Sequence, residues 1–182
     1  MVTVYQPYFE SGYEWVMPVD KTRQILDLRY RRRGDRWPPL RMYLIHSQAP
    51  EAGGASREDA EMPWHARSVV VMKKHAREVL EPLFAADAEI LACECDEAEE
   101  LSLAHPWRVV DALDVENSSV RRFADGMINR VDRYVFWEEM IAGLECFRIP
   151  QQQSMFVTDS IVAAVKDAGL HGTIFRPVWR SG

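Results

Sequence analysis

Hydrophobic positions along this chain fall into short runs whose period keeps changing, and the clearest change closes the sequence. Met155-Phe156-Val157 is a short apolar strand. Ile161, Val162, Val165 and Ala168 then recur at helical spacing. Thr158 or Asp159 stands where a side-chain oxygen would accept the free amides that open a helix. Gly169 is placed to end that helix in the left-handed conformation, with Leu170 folding back onto Val165. Gly172 turns the chain, and Thr173-Ile174-Phe175 begins a further strand.

The same succession occurs earlier. Val69-Val70-Val71-Met72 predicts a buried strand. Ala76, Val79, Leu80, Leu83 and Phe84 predict an amphipathic helix over 73–84, and Glu89-Ile90-Leu91-Ala92-Cys93-Glu94 a second strand. Val71, His75 and Val79 precede Val157, Ile161 and Val165 by 86 positions. Two copies make a pair of similar units in one fold, not a solenoid. Between them, residues 121–135 alternate in character, Met140-Ile141-Ala142-Gly143 reads as a turn, and Leu144-Glu145-Cys146-Phe147-Arg148-Ile149 as a strand. The expected class is α+β, with a mixed, partly antiparallel sheet.

The first 46 residues are rich in aromatics and arginine. Ile25-Leu26-Asp27-Leu28 and Met42-Tyr43-Leu44-Ile45 are plausible strands, joined by the charged turn Arg31-Arg32-Arg33-Gly34-Asp35-Arg36. That run reads first as a solvated hairpin tip; a ligand-facing basic patch is the alternative. Residues 47–61, broken by Gly and Pro, read as a flexible linker. The expected division is therefore an N-terminal β portion, 1–61, and an α+β domain, 62–182.

Composition narrows the function. A chain of 182 residues can bury a core of its own. A net charge of −6 argues against generic nucleic-acid binding. No apolar window approaches membrane-spanning length, and the first residues lack the basic and apolar regions of a signal peptide. Three cysteines, Cys93, Cys95 and Cys146, are too few for a disulfide scaffold, so reduced thiols in a cytoplasmic protein are expected.

Reactive constellations are sparse. Asp111 and Asp114 are a candidate carboxylate pair, but their spacing of three shares a face only on a helix; the plainer reading has them holding turn amides. With His65 they are the basis for a small hydrolase. The histidines are scattered singly, and Cys93-x-Cys95 has no further ligands near it, so no metal is expected. Ser118-Ser119 has no nucleophile elbow, Gly53-Gly54 no phosphate-loop lysine, and no sequence feature calls for a cofactor.

Several stretches, taken in order, resemble the immunity protein 11 family of bacterial polymorphic-toxin immunity proteins. They are Val69-Val70-Val71-Met72 with the helix through Val79-Leu80-Glu81, and Trp107-Arg108-Val109-Val110-Asp111-Ala112-Leu113-Asp114. Then follow the Glu116-Asn117-Ser118 turn, Glu145-Cys146-Phe147-Arg148-Ile149, and the ending from Phe156-Val157-Thr158-Asp159 to Gly169-Leu170-His171-Gly172-Thr173-Ile174-Phe175. The resemblance covers about two-thirds of the chain, from residue 62 to 179. It implies a cytoplasmic, non-enzymatic protein that binds and neutralises a cognate toxin domain, with no catalytic residues to carry over.

Such a partner gives the acidic region a role. Residues 78–116 hold twelve carboxylates and a single arginine, Arg108. Toxins that cleave nucleic acid or bind phosphates are commonly basic, and an acidic face speeds capture of a basic partner. Glu94, Asp96, Glu97, Glu99 and Glu100 are the candidate binding residues, with Trp37 and Trp107 as aromatic anchors. A solvated acidic surface without a partner is the plain alternative, and an effector adaptor or chaperone the alternative function.

Overall fold

The computed structural model describes residues 1–20, 32, 34, 37–47, 54–97 and 100–182. The chain runs β1 (Thr3–Phe9), β2 (Trp15–Pro18), β3 (Leu40–Ile45), β4 (Val70–Lys73), α1 (Lys74–Phe84), β5 (Ala88–Glu94) and β6 (Leu101–Pro106). It continues through β7 (Ser119–Arg122), β8 (Ile128–Arg133), α2 (Glu138–Ile141), β9 (Cys146–Ile149), β10 (Gln152–Val157), α3 (Asp159–Asp167) and β11 (Thr173–Arg180). The class is α+β. The strands form a four-stranded sheet, β11-β1-β10-β9, a five-stranded sheet, β2-β3-β5-β6-β4, and a separate ribbon, β7-β8. Only β3 and β5 pair in parallel among these strands.

The two strand–helix–strand units have the same internal topology. β4 and β5 both pair antiparallel with β6, which lies between them. β10 and β11 both pair antiparallel with β1, which lies between them. Each helix thus joins two strands of like direction across an interposed strand. The helices α1 and α3 pack on one another, and one core gathers Leu80 and Phe84, Ile161 and Val165, and the inner faces of both sheets. Val70 and Met72 of one sheet, and Met155 and Val157 of the other, point into this core.

The outer face of each sheet closes a core of its own. Val69, Val71, Leu91 and Leu103 pack with Val16, Met42 and Leu44. Phe147, Ile149 and Phe156 pack with Val4, Val131, Tyr134 and Phe136. Successive strand residues face opposite sides. Val69-Val70-Val71-Met72 and Met155-Phe156-Val157 are unbroken apolar runs because both sides are buried.

Helix α3 ends as expected and opens differently. The Leu170 amide donates to the Val165 carbonyl at 3.0 Å and the Gly169 amide to Lys166 at 3.2 Å, the two bonds of a Schellman ending, with Gly169 at φ +62°. Neither candidate cap closes the helix start. The Thr158 hydroxyl donates to the Leu144 carbonyl at 2.9 Å, and the Asp159 carboxylate accepts the Thr3 amide at 2.8 Å and the Tyr5 hydroxyl at 3.0 Å. Tertiary partners have taken the oxygens that a free helix would use. Where a turn was expected over 140–143, α2 makes one helical turn before Gly143 at φ +77°.

Both sheets draw strands from either side of the expected division at residue 61, because β1 lies inside the four-stranded sheet and β2 and β3 belong to the five-stranded one. In the described end of the expected linker, Glu58 bridges to Tyr13 and Ala60 is buried. The expected strand at 25–28 and the turn residues Arg31, Arg33, Asp35 and Arg36 lie outside the described residues.

Buried polar groups fasten the two sheets together. The Asp87 carboxylate accepts Arg108 Nε at 3.0 Å and the Glu145 amide at 3.0 Å. Arg148 donates to the Ser68 carbonyl at 2.7 Å and meets His105 Nδ1 at 3.2 Å.

Candidate partner-binding surface

The acidic residues singled out from the sequence separate into two places. Glu94 ends β5 in register with Arg41 of β3, and Asp96 pairs with Arg41 at 3.6 Å. Glu97 and Glu100 instead help line a shallow cavity of about 350 Å³ at the start of α1, with Asp59, Glu61, Lys73, Lys74 and His75. Glu99 lies outside the described residues. The cavity carries four carboxylates against two lysines, so its acidity survives internal pairing.

A buried carboxylate organises this surface from behind. Glu14, in the turn between β1 and β2, is fully buried and accepts the Ala60 amide at 3.3 Å. Lys73, at the end of β4, reaches both Glu14 and Asp59. Burial alone would lower the Lys73 ammonium, but Asp59 and Glu14 outweigh it and hold it above its ordinary value. Its hydrogen bond in turn holds the Asp59 carboxyl below the usual range. His46 stands between Glu14 at 3.0 Å and Glu97 at 2.8 Å. Glu97 also accepts the Leu44 amide at 3.3 Å, and these two contacts, His46 first, hold its carboxyl low. The result is a row of carboxylates in which Asp59 and Glu97 are held low by Lys73 and His46, with the buried Glu14 behind them. Glu14, His46, Asp59 and Lys73 escaped sequence reasoning because they are far apart in the chain; a lone glutamate between Tyr13 and Trp15 was the single available signal.

Both tryptophans are half-buried. Trp37 packs against the second core and donates its indole N–H to the Ala92 carbonyl at 2.7 Å. Trp107 lies under the guanidinium groups of Arg32 and Arg108, at 3.8 and 4.5 Å from the ring centre.

The residues considered for hydrolysis serve different local structures. His65 meets the Val16 carbonyl at 3.0 Å, and burial lowers its pKa. Asp111 accepts Gln151 at 2.7 Å. Asp114 accepts the Asn117 side chain at 2.7 Å and its amide at 3.0 Å, and these bonds, side chain first, hold its carboxyl low. Burial pushes the Cys93 thiol up to about 12, with Cys95 adding to it, and raises Cys146 as well. No His, Cys, Asp or Glu cluster suited to a metal occurs among the described residues.

A model described as Immunity protein family (Imm11) matches residues 7–180, and the chain belongs to this family. The match takes in the end of β1 and all of β2 and β3, and so extends well beyond the resemblance read over 62–179. No curated protein matched the chain. No helix among the described residues is long and apolar enough to cross a membrane.

Proposed function

We propose that this protein is the immunity partner of a bacterial polymorphic toxin. It acts in the producer's cytoplasm, binds the toxin domain one to one, and blocks it without itself catalysing a reaction. The family match over 7–180 carries this reading. The partner domain is basic, and the carboxylates at the start of α1 steer it: Glu97 and Glu100 beside Asp59 and Glu61, with Glu94, Asp96 and Glu99 on the same acidic stretch. Trp37, bonded to Ala92 in β5, and Trp107, beyond the opposite end of β6, are the aromatic contacts of this reading.

Co-expression with the toxin encoded beside this gene tests the proposal. Growth should be rescued, and the purified pair should form a 1:1 complex with the toxin inactive. Failure to bind or protect removes the immunity reading, whereas a bound toxin that stays active makes the protein an effector adaptor.

A further inference from the structure

Outside the two main sheets stands a part of the molecule that the acidic surface does not involve. The ribbon β7-β8 pairs strand to strand with itself, and its outer residues are solvent-exposed on both strands. Its tip presents two large apolar side chains, Phe123 at 52% and Met127 at 63% exposure, adjacent across the turn through the Phe123 amide and the Met127 carbonyl. Its flanks carry four exposed arginines, Arg121, Arg122, Arg130 and Arg133, against two aspartates. One of these, Asp132, is shared between Arg121 at 2.7 Å and Arg130 at 2.8 Å. In a chain of net charge −6 this is a locally basic projection.

At its root, a cavity of about 810 Å³ opens between β8 and the turn from β9 to β10. Arg67, Arg130 and Arg133 line it, and Asp132 is its single carboxylate. The Gln151 amide nitrogen is committed to Asp111, which leaves Gln151 Oε1, on a residue that lines the cavity, buried and without a hydrogen-bond partner.

We propose that this ribbon is the plug of the inhibitory complex: it enters a concave, acidic site on the toxin domain, and the cavity at its root seats the rim of that site. The inference rests on the immunity reading and says which surface does the blocking. A two-stranded ribbon is only about 10 Å wide. Val120, Ile128 and Val131 seat its inner face on the core of Phe136 and Phe156, so the part that projects is the tip from Phe123 to Met127, and a concave site can enclose both of these side chains where a flat one cannot. Arginine and aromatic side chains are the groups that anchor interfaces, and arginine forks suit carboxylates. Carboxylates inside the cleft of a toxin would meet the ribbon's arginines there, while the acidic surface acts at longer range on the approach of a basic partner.

Binding of the purified toxin domain encoded beside this gene tests the assignment. The double variant Phe123→Ala/Met127→Ala, and separately Arg130→Gln, should each weaken affinity at least about 30-fold, mainly through faster dissociation, and should lose inhibition in proportion. Both side chains of the double variant are more than half exposed, so its melting temperature should equal that of the wild type. Glu97→Gln/Glu100→Gln should instead slow association and flatten its salt dependence. A photo-crosslinking phenylalanine analogue at position 123 should attach within an acidic concavity of the toxin. Affinity within threefold of wild type in both ribbon variants, or attachment elsewhere, overturns the inference. A wild-type protein that does not bind at all overturns the immunity reading itself, and the inference with it.

Discussion

Gly172 shows how one residue can carry a constraint that its neighbours in sequence do not reveal. It sits at φ +103°, where an L side chain is strained, and a Cβ there would lie 2.5 Å from the Met62 carbonyl oxygen and 2.6 Å from Ala60 Cβ. Thr173 donates its hydroxyl to the same Met62 carbonyl at 2.9 Å, so that strand cannot easily withdraw. Gly172→Ala should cost about 3–5 kcal/mol and lower the melting temperature by roughly 10 °C in a thermal denaturation experiment. A variant melting within 2–3 °C of the parent (about 1 kcal/mol for a chain of this size) would mean that the Ala60–Met62 segment yields. The glycine was recognisable in sequence as a turn; the close approach of residues 110 positions away was not.

At the scale of elements, α3 separates what local chemistry decides from what packing decides. Its C-terminus is a local device: Gly169 at φ +62° closes the two Schellman bonds, and nothing lies within 4 Å of where its Cβ would be. Gly169→Ala should therefore cost only the left-handed strain, about 1–2 kcal/mol, and shift the melting temperature by roughly 2–8 °C, less than the change at Gly172. Equal shifts in the same assay would contradict this division. The helix start is not local. Thr158 and Asp159 were legible as caps because caps are short-range, yet both are claimed by strands and loops distant in sequence. β1 escaped notice for a related reason. Its aromatics mix with polar residues, and Pro7 argues against a central strand, but the pairing of β1 with β10 ends at Tyr5, before the missing amide would matter.

The whole molecule responds to pH through groups whose protonation differs between folded and unfolded chains. Burial lowers the folded His65 below its ordinary 6.5, so the unfolded chain binds the extra proton first. Stability should be level above pH 6.5 on this account and decline as pH falls below it, a decline that His65→Gln should reduce. The Asp59 and Asp114 carboxyls are held below their ordinary 3.8, by Lys73 and by Asn117 respectively. Their contribution is present above pH 3.8 and is lost as pH falls through the lower folded values, giving a second, acid-side decline. Urea midpoints measured from pH 8 to pH 3 should show both steps. A wild type and His65→Gln with parallel curves between pH 7 and 5 would remove the histidine from this account.

The α+β class, the two strand–helix–strand units, the helical stripes and the Schellman ending were determined by the sequence itself. Each is written in the spacing of apolar residues or in the dihedral freedom of a single glycine, both short-range properties. The family was legible in the order of those segments. Only the tertiary structure decided that a third strand lies inside each unit, that the units share one core between two sheets, and that residues 1–61 supply strands to both. It alone brought Glu14, His46, Asp59 and Lys73 behind the acidic surface and set the arginine ribbon apart from the sheets. Strand pairing and buried ion networks join residues distant in the chain, and their energy depends on which groups leave water together. No local pattern records that choice.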